Sequence, residues 1–488
     1  MNVILILIDT LRRDHLGPYG GPPTPGFERL AASGVTFDRY FLGSYPCMPA
    51  RRDLWTGRFE FPWRGWGPLL PGDRDLPSAL AAAGCTTMLV TDHYHLFQPG
   101  AGNYHHGFDG WEFIRGQEDD HWRSGPGPEP VSWPAPRETK LHRRWDRYWR
   151  NTAERRAGGR WRSTADTFAA RTFAEAEAWL AAQAPGAPPF FLMVDCFDPH
   201  EPFDPPPELW PAAVGGTAIP WPIYGRADRY SPEELEGIRA LYAAEVALVD
   251  ACLLRFVEAC ERLGRMSDTL LLVTTDHGHL FGEHGMVGKP SSVHGDSNLY
   301  RPLAHVPLFA AAPGGVRGAR CGALAQTVDL FPTVLEAMGV PCPEGPAGPV
   351  HGRSLLPQAA GGDGAGPLRN VACYGKFGEA VQITDGELVL HRWPAGPSNA
   401  PLHWYGAEAP AFLRPRGLGA PEPWPGPAVV RYPVDWERGP CATVLLDDRE
   451  DGDLSARRPA DRARLESALR DWLRALGAPP EQAARLGL

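Results

Sequence analysis

Val3 to Ile8 is an unbroken run of β-branched residues and leucine that ends at Asp9, the pattern of a strand covered on both faces in a parallel sheet. Thr24-Pro25, the amphipathic stretch GFERLAAS and then Gly34 predict a helix, with an N-cap, a proline at the first helical position and a terminating glycine. Leu89–Thr91, Phe190–Cys196 and Thr269–Thr275 predict three more buried strands. Between the last two lies a long helix, opened by the capping box Ser231-Pro232-Glu233-Glu234 and closed near Gly264. Strands and helices that alternate in this way predict a doubly wound, mostly parallel α/β sheet. Function in such sheets collects at the carboxyl ends of the strands. Asp9, Asp92 with His93, His200, and Asp276 with His277 would then share one rim.

The pattern breaks between about Gly116 and Trp161, a Trp-, Arg- and Pro-rich stretch that reads as a long loop or insertion over that rim. Its tryptophans and arginines, from Trp122 to Trp161, either line a pocket for a sugar or aryl group or pack on one another. The chain's 488 residues are too many for one ordinary domain. We expect a catalytic α/β domain over residues 1–357 and a smaller α+β subdomain over 367–488, joined by the glycine-rich segment Gly361–Gly366. In the second, Asp385-Gly386 sits between alternating segments and predicts a hairpin. Dense proline from Pro394 to Pro433 reads as irregular surface, and ADRARLESALRDWLRALG predicts a closing helix.

Composition narrows the partners. Hydrophobic residues make up 43% and charged residues 22%, ordinary for a globular protein, and the net charge of −10 argues against general affinity for nucleic acid or acidic membranes. No stretch approaches the roughly 20 apolar residues that span a bilayer. The opening apolar run meets Asp9 with no basic region before it, so it reads as a strand and not a signal peptide. Nine cysteines, an odd number without CxxC spacing, point to reduced thiols and a cytoplasmic protein. Lysine occurs only at 140, 289 and 376, which gives Lys289, inside a motif, added weight.

The candidate chemistry centres on Cys47-Met48-Pro49-Ala50-Arg51, followed by Leu54-Trp55-Thr56-Gly57-Arg58. Pro49 suits a first helical turn, which puts Cys47 at a helix N-terminus, where free amides and the dipole stabilise negative charge. Arg51 lies one turn in. A lone motif of this kind also fits a plain buried cysteine beside a helix-starting proline. The second signal is Thr274-Thr275-Asp276-His277-Gly278, with Gly288-Lys289 after it. Aspartate and histidine at a strand end offer two ligand types to a divalent ion that Asp9 could also reach.

These motifs occur in the order IDTLRRDHLG, CMPARRDLWTGR, TDHYHLF, FDPHEPFDPP, TTDHGHLFGEHGMVGK and QTVDLFPTVLEAMGV. The series resembles the type I, formylglycine-dependent sulfatases of the alkaline phosphatase superfamily, and shares features with their phosphonate monoester hydrolase branch. The resemblance implies an alkaline-phosphatase-like fold and conversion of Cys47 to formylglycine by a formylglycine-generating enzyme. It implies one divalent metal ion, Ca²⁺ or Mn²⁺ or another transition metal, held by Asp9, Cys47, Asp276 and His277. Arg51 and Lys289 would hold the anionic ester, His200 would contact it or protonate the leaving oxygen, and His93 or His95, with His95 the better match, would complete the site. The substrate implied is a small anionic ester, with sulfate monoester hydrolysis as the leading activity and phosphonate monoester or phosphodiester hydrolysis as the alternative. Two positions depart from most calcium sulfatases: Asp9-Thr10 replaces consecutive aspartates and Asp276-His277 replaces Asp-Asn. A hydroxyl for a carboxylate and an imidazole for an amide move the preference from Ca²⁺ towards Mn²⁺, Fe²⁺ or Zn²⁺.

Overall fold

A computed structural model describes the chain except residues 99–100, 126–138, 185, 213, 215–217, 291–295, 344–347, 408–418, 424–429 and 437–441, and except the side chains of 139–142 and 423. Its main elements are β1 (Asn2–Ile8), α1 (Pro25–Ser33), β2 (Val35–Phe37), α2 (Cys47–Thr56), β3 (Thr86–Thr91), β4 (Gly110–Phe113), α3 (Thr139–Thr152), α4 (Phe168–Ala181), β5 (Phe190–Cys196), α5 (Pro232–Arg262), β6 (Thr269–Thr275), β7 (Leu308–Ala311) and β8 (Ala319–Cys321). The eight strands form one sheet in the order β8-β2-β7-β6-β1-β5-β3-β4. Only β7 runs antiparallel to its neighbours.

The unbroken apolar run of β1 divides into two stripes because successive side chains point to opposite faces. Ile4, Ile6 and Ile8 pack with residues of α1, α4 and α5 on one face. Val3, Leu5 and Leu7 pack with Met48, Leu54 and Trp55 of α2 on the other. Helices on both faces are what a doubly wound sheet requires. The α5 capping box is present, with Ser231 and Glu234 bonding reciprocally. The predicted cap at Thr24 is not used as one: its hydroxyl accepts from Gly17 N, and Glu28 reaches back to Thr24 N instead.

The insertion contains the helix α3 and a short hairpin at 156–161; part of it, 126–138, lies outside the described residues. Trp145, Tyr148 and Trp149 pack with Trp161, Phe168 and Trp221 in a core of their own. The described tryptophans of α3 and the hairpin are therefore used for packing.

In the C-terminal part, Ala372–Gly375, Val381–Thr384, Val389–Arg392 and Val444–Leu446 form an antiparallel sheet, including the hairpin at Asp385-Gly386. The closing helix spans Pro459–Ala475, followed by a second, Pro480–Leu486. The joining segment Gly361–Gly366 is helical: a helix runs to Gly361 and a helical turn covers Gly362–Ala365. One expectation is corrected here. The stretch 394–433 is not wholly irregular, since His403–Gly406 pairs with Val430–Pro433. Gly375 also bonds back to Gly43 and Tyr45, tying the antiparallel sheet to the segment that leads into Cys47. Among the described residues, no helix is long and apolar enough to cross a membrane.

Candidate active site and metal centre

Strand register decides which groups can meet. Ile8 is level with Thr275 on one side and Cys196 on the other, so Asp9 and Asp276 leave the sheet side by side. Thr91 is level with Asp195, which brings His93 to the same rim. Helix α2 begins at Cys47 and shows Cys47 and Arg51 on one face, one turn apart.

The ligand atoms of Asp9, Cys47, Asp276 and His277 lie within 4.8 Å of one another, and all four residues are buried. Cys47 Sγ is 3.2 Å from His277 Nε2 and 3.2 Å from Lys289 Nζ. His277 Nδ1 donates to the Gly278 carbonyl at 2.8 Å, which leaves the Nε2 lone pair facing the cluster. A glycine is needed next: a Cβ at 278 would stand 1.9 Å from the Pro302 carbonyl oxygen. Thr10 joins the two strand ends, its hydroxyl donating to Asp9 Oδ1 at 2.6 Å and its N–H to Asp276 Oδ1 at 3.0 Å. It does so at φ 63°, a left-handed conformation costly for a β-branched residue and characteristic of functional sites.

Arg51 is fully buried. Its guanidinium binds Asp195 through two hydrogen bonds, at 2.9 and 2.7 Å, while Nη1 lies 2.7 Å from Asp276 and 3.1 Å from Asp9. Burial by itself would raise the Asp9 carboxyl. Arg51, then the His93 hydrogen bond and the more distant His200 and Lys289 outweigh it and hold Asp9 well below the usual carboxylate range. The Cys47 thiol goes the other way, pushed well up by burial and then by Asp9. An unmodified thiol held in its protonated form is a weak nucleophile.

The donor set fits a divalent cation: two carboxylates, an imidazole with its tautomer fixed, and residue 47. Charge agrees with this, since Asp9, Asp195 and Asp276 outnumber the cations Arg51 and Lys289 that face them.

Both candidate histidines near residue 94 reach the rim, but differently. His93 Nε2 meets Asp9 Oδ2 at 3.1 Å. His95 is turned outward by a three-residue helical turn, with Nε2 3.6 Å from Glu118 Oε2 and its ring against Trp66. Of the pair it is His93, not the better-matching His95, that touches the cluster. His200 Nε2 lies 2.6 Å from Lys289 Nζ, and burial followed by the Lys289 charge pushes its imidazole down to about 3. Asp92, expected on the rim, accepts from Phe197 N at 2.8 Å and does not join the cluster.

Thr10, Asp195, Glu118 and Glu201 also stand at the site, although the sequence patterns did not single them out. A carboxylate inside the apolar strand FFLMVDC marked Asp195 as needing a partner. Glu118, at φ 45°, and its partner Arg144 of α3 carried no comparable signal, since only the fold brings them together.

Comparison with known proteins agrees with this geometry. The Sulfatase family model matches residues 1–340. The multifunctional alkaline phosphatase superfamily protein PehA of Trinickia caryophylli is 26% identical over 412 residues, 74% of this chain and 77% of that protein. Arylsulfatase K of Homo sapiens is 34% identical over 129 residues, 26% of this chain and only 22% of that protein. The crystal structure of the phosphonate monoester hydrolase of Agrobacterium radiobacter superposes with a TM-score of 0.66 at 21% identity, covering 98% of this chain and 95% of that one. That likeness identifies the α/β sheet as alkaline-phosphatase-like. With the family match running from β1 past β8, and so through every group clustered at the rim, the chain belongs to the sulfatase family.

Proposed function

We propose that the chain hydrolyses a sulfate monoester to an alcohol and inorganic sulfate by S–O fission, with residue 47 as nucleophile once its cysteine has become formylglycine. The observation that carries this reading is the convergence of Asp9, Cys47, Asp276 and His277 beside Lys289. Formylglycine, as its hydrate, supplies one hydroxyl as nucleophile and a second whose deprotonation frees the product. A divalent ion held by Asp9, Asp276, His277 and residue 47 supplies Lewis acidity at a sulfuryl oxygen. The remaining work falls to this chain's side chains. Arg51 keeps Asp9 ionised, holds Asp276 by a hydrogen bond and offsets charge at the reacting centre. Lys289 binds the anionic ester oxygens. His200 delivers a proton to the leaving oxygen. His93 fixes Asp9, and His95 lines the rim beside Glu118.

The imidazole at His277, where most calcium sulfatases have an amide, favours Mn²⁺, Fe²⁺ or Zn²⁺ over Ca²⁺. Maturation requires a formylglycine-generating enzyme as partner. Free thiols at all described cysteines support a reducing, cytoplasmic setting. Residues 1–357 form the catalytic domain in this reading, and 367–488 form the C-terminal subdomain.

A second reading, phosphonate monoester or phosphodiester hydrolysis at the same site, is favoured by the imidazole ligand and by the likeness to the Agrobacterium enzyme. Each ester presents one negative charge on a tetrahedral centre, so the choice is kinetic. Enzyme with verified formylglycine is assayed on aryl sulfate, phosphodiester and phosphonate with matched leaving groups. The sulfate ester is expected to give the highest kcat/KM, and a preference for either phosphorus ester by orders of magnitude would replace the first reading with the second.

A further inference from the structure

Beside the clustered groups runs a line of contacts that the roles above do not use. His200 Nε2 faces Lys289, while Nδ1, on the other side of the ring, donates to the Glu201 backbone carbonyl at 2.8 Å. The Glu201 side chain folds back on the same ring and places Oε2 3.4 Å from Nδ1. Its other oxygen, Oε1, accepts from the Tyr224 hydroxyl. Glu201 is 2% exposed, and Oε2 has no hydrogen-bond partner among the described residues. A buried carboxylate oxygen without a donor is destabilising. The donor that stands nearest to satisfying it is the Nδ1–H of His200.

We infer that Glu201 is a positioning residue: its carboxylate keeps the His200 ring oriented with Nε2 towards the ester and accepts from Nδ1–H when the ring is protonated. This rests on the proton-delivering role of His200 proposed above. In that step the nucleophilic oxygen of residue 47 bonds to sulfur as the bond from sulfur to the alcohol oxygen breaks; that bond's electron pair passes to the alcohol oxygen, which takes the proton from Nε2. The ring ends neutral with Nδ1–H in place, and Glu201, whose carboxyl burial raises to about 7 against the opposing charge of Lys289, acts in the step as its ionised form. Lys289 now occupies Nε2, so the step needs its ammonium to turn to an anionic oxygen of the bound ester. A carboxylate behind an imidazole selects the tautomer and stabilises the imidazolium. Tyr224, on Oε1, sets the carboxylate's angle.

The test uses formylglycine-loaded enzyme and two esters, phenyl sulfate and 4-nitrophenyl sulfate, the second of which needs less help from a proton as it leaves. For Glu201→Gln, kcat on phenyl sulfate is expected to fall roughly tenfold to a hundredfold, kcat on 4-nitrophenyl sulfate several-fold less, and KM to stay within about twofold for both. Tyr224→Phe should show the same pattern at smaller amplitude. Equal losses of kcat on the two esters, or a change confined to KM, overturn the inference. The same two leaving groups are assayed as phosphonate esters. An enzyme that ignores the sulfates but cleaves the phosphonates refutes the substrate assignment, and the contrast between the two phosphonates then supports or overturns the role of Glu201 by the same criterion.

Discussion

Replacing Arg51 by methionine removes the cation that three buried carboxylates share. Arg51, Asp9 and Asp195 are each 0% exposed and Asp276 is 1% exposed, so solvent cannot take over the role. Asp195 suffers most, because both its oxygens bond the guanidinium, at 2.9 and 2.7 Å. Breaking a buried pair by deleting one partner costs about 3–5 kcal/mol, chiefly the penalty of leaving the other charge uncompensated, whereas replacing both partners with apolar groups is often neutral. The Arg51→Met chain is therefore expected to lose about 3–5 kcal/mol against urea, and Arg51→Met combined with Asp195→Leu to regain most of that loss. A divalent ion added to the single variant should restore only the part due to Asp9 and Asp276, since Asp195 lies outside the clustered ligands. The assay is urea unfolding of all four chains of the double-mutant cycle, with and without metal. If the double variant is no more stable than the single one, the ion pair is not what the buried arginine contributes and the reasoning fails.

Other expectations follow from the same geometry. After chelation, Mn²⁺ should restore activity better than Ca²⁺, and His277→Asn should narrow or reverse that order in a metal titration; an unaltered order would show that the imidazole does not select the ion. Gly278→Ala, which drives a Cβ against the Pro302 carbonyl, should cost about 1–3 kcal/mol by urea unfolding and weaken metal retention in equilibrium dialysis, and a wild-type midpoint would refute the close approach. Burial raises the Asp198 carboxyl to about 7, so the folded chain holds a proton that the unfolded chain releases near pH 4. Stability should then decline as pH rises from about 4 to 7, and Asp198→Asn should flatten the decline; the same slope in both chains would sink the assignment.

The four central strands β6, β1, β5 and β3 were legible because full burial on both faces writes itself as an unbroken apolar run, and the ends of β1, β5 and β6 fall where those runs meet aspartate or follow threonine and cysteine; the short flanking strands β2, β4, β7 and β8 carried no such run and were not read. Strand order was not legible, since register between strands far apart in the chain is set by packing. The cluster could be anticipated for the same reason as the strands, each of its groups lying at a strand end or helix start. The choice between His93 and His95 could not, because a single helical turn at Tyr94–Leu96 points the two rings to different partners. Proline density hid the pairing of His403–Gly406 with Val430–Pro433, because proline masks the alternation by which a strand is read.

Thr10 meets Asp276 across 266 residues of chain. On a ribosome that interval is time: Cys47 emerges long before β6, Asp276 and His277 exist to enclose it. In that window its thiol is open to solvent and to a modifying enzyme, while in the finished fold it is 3% exposed. The conversion proposed for Cys47 would therefore have its best access on the nascent chain, before the fold closes over the thiol.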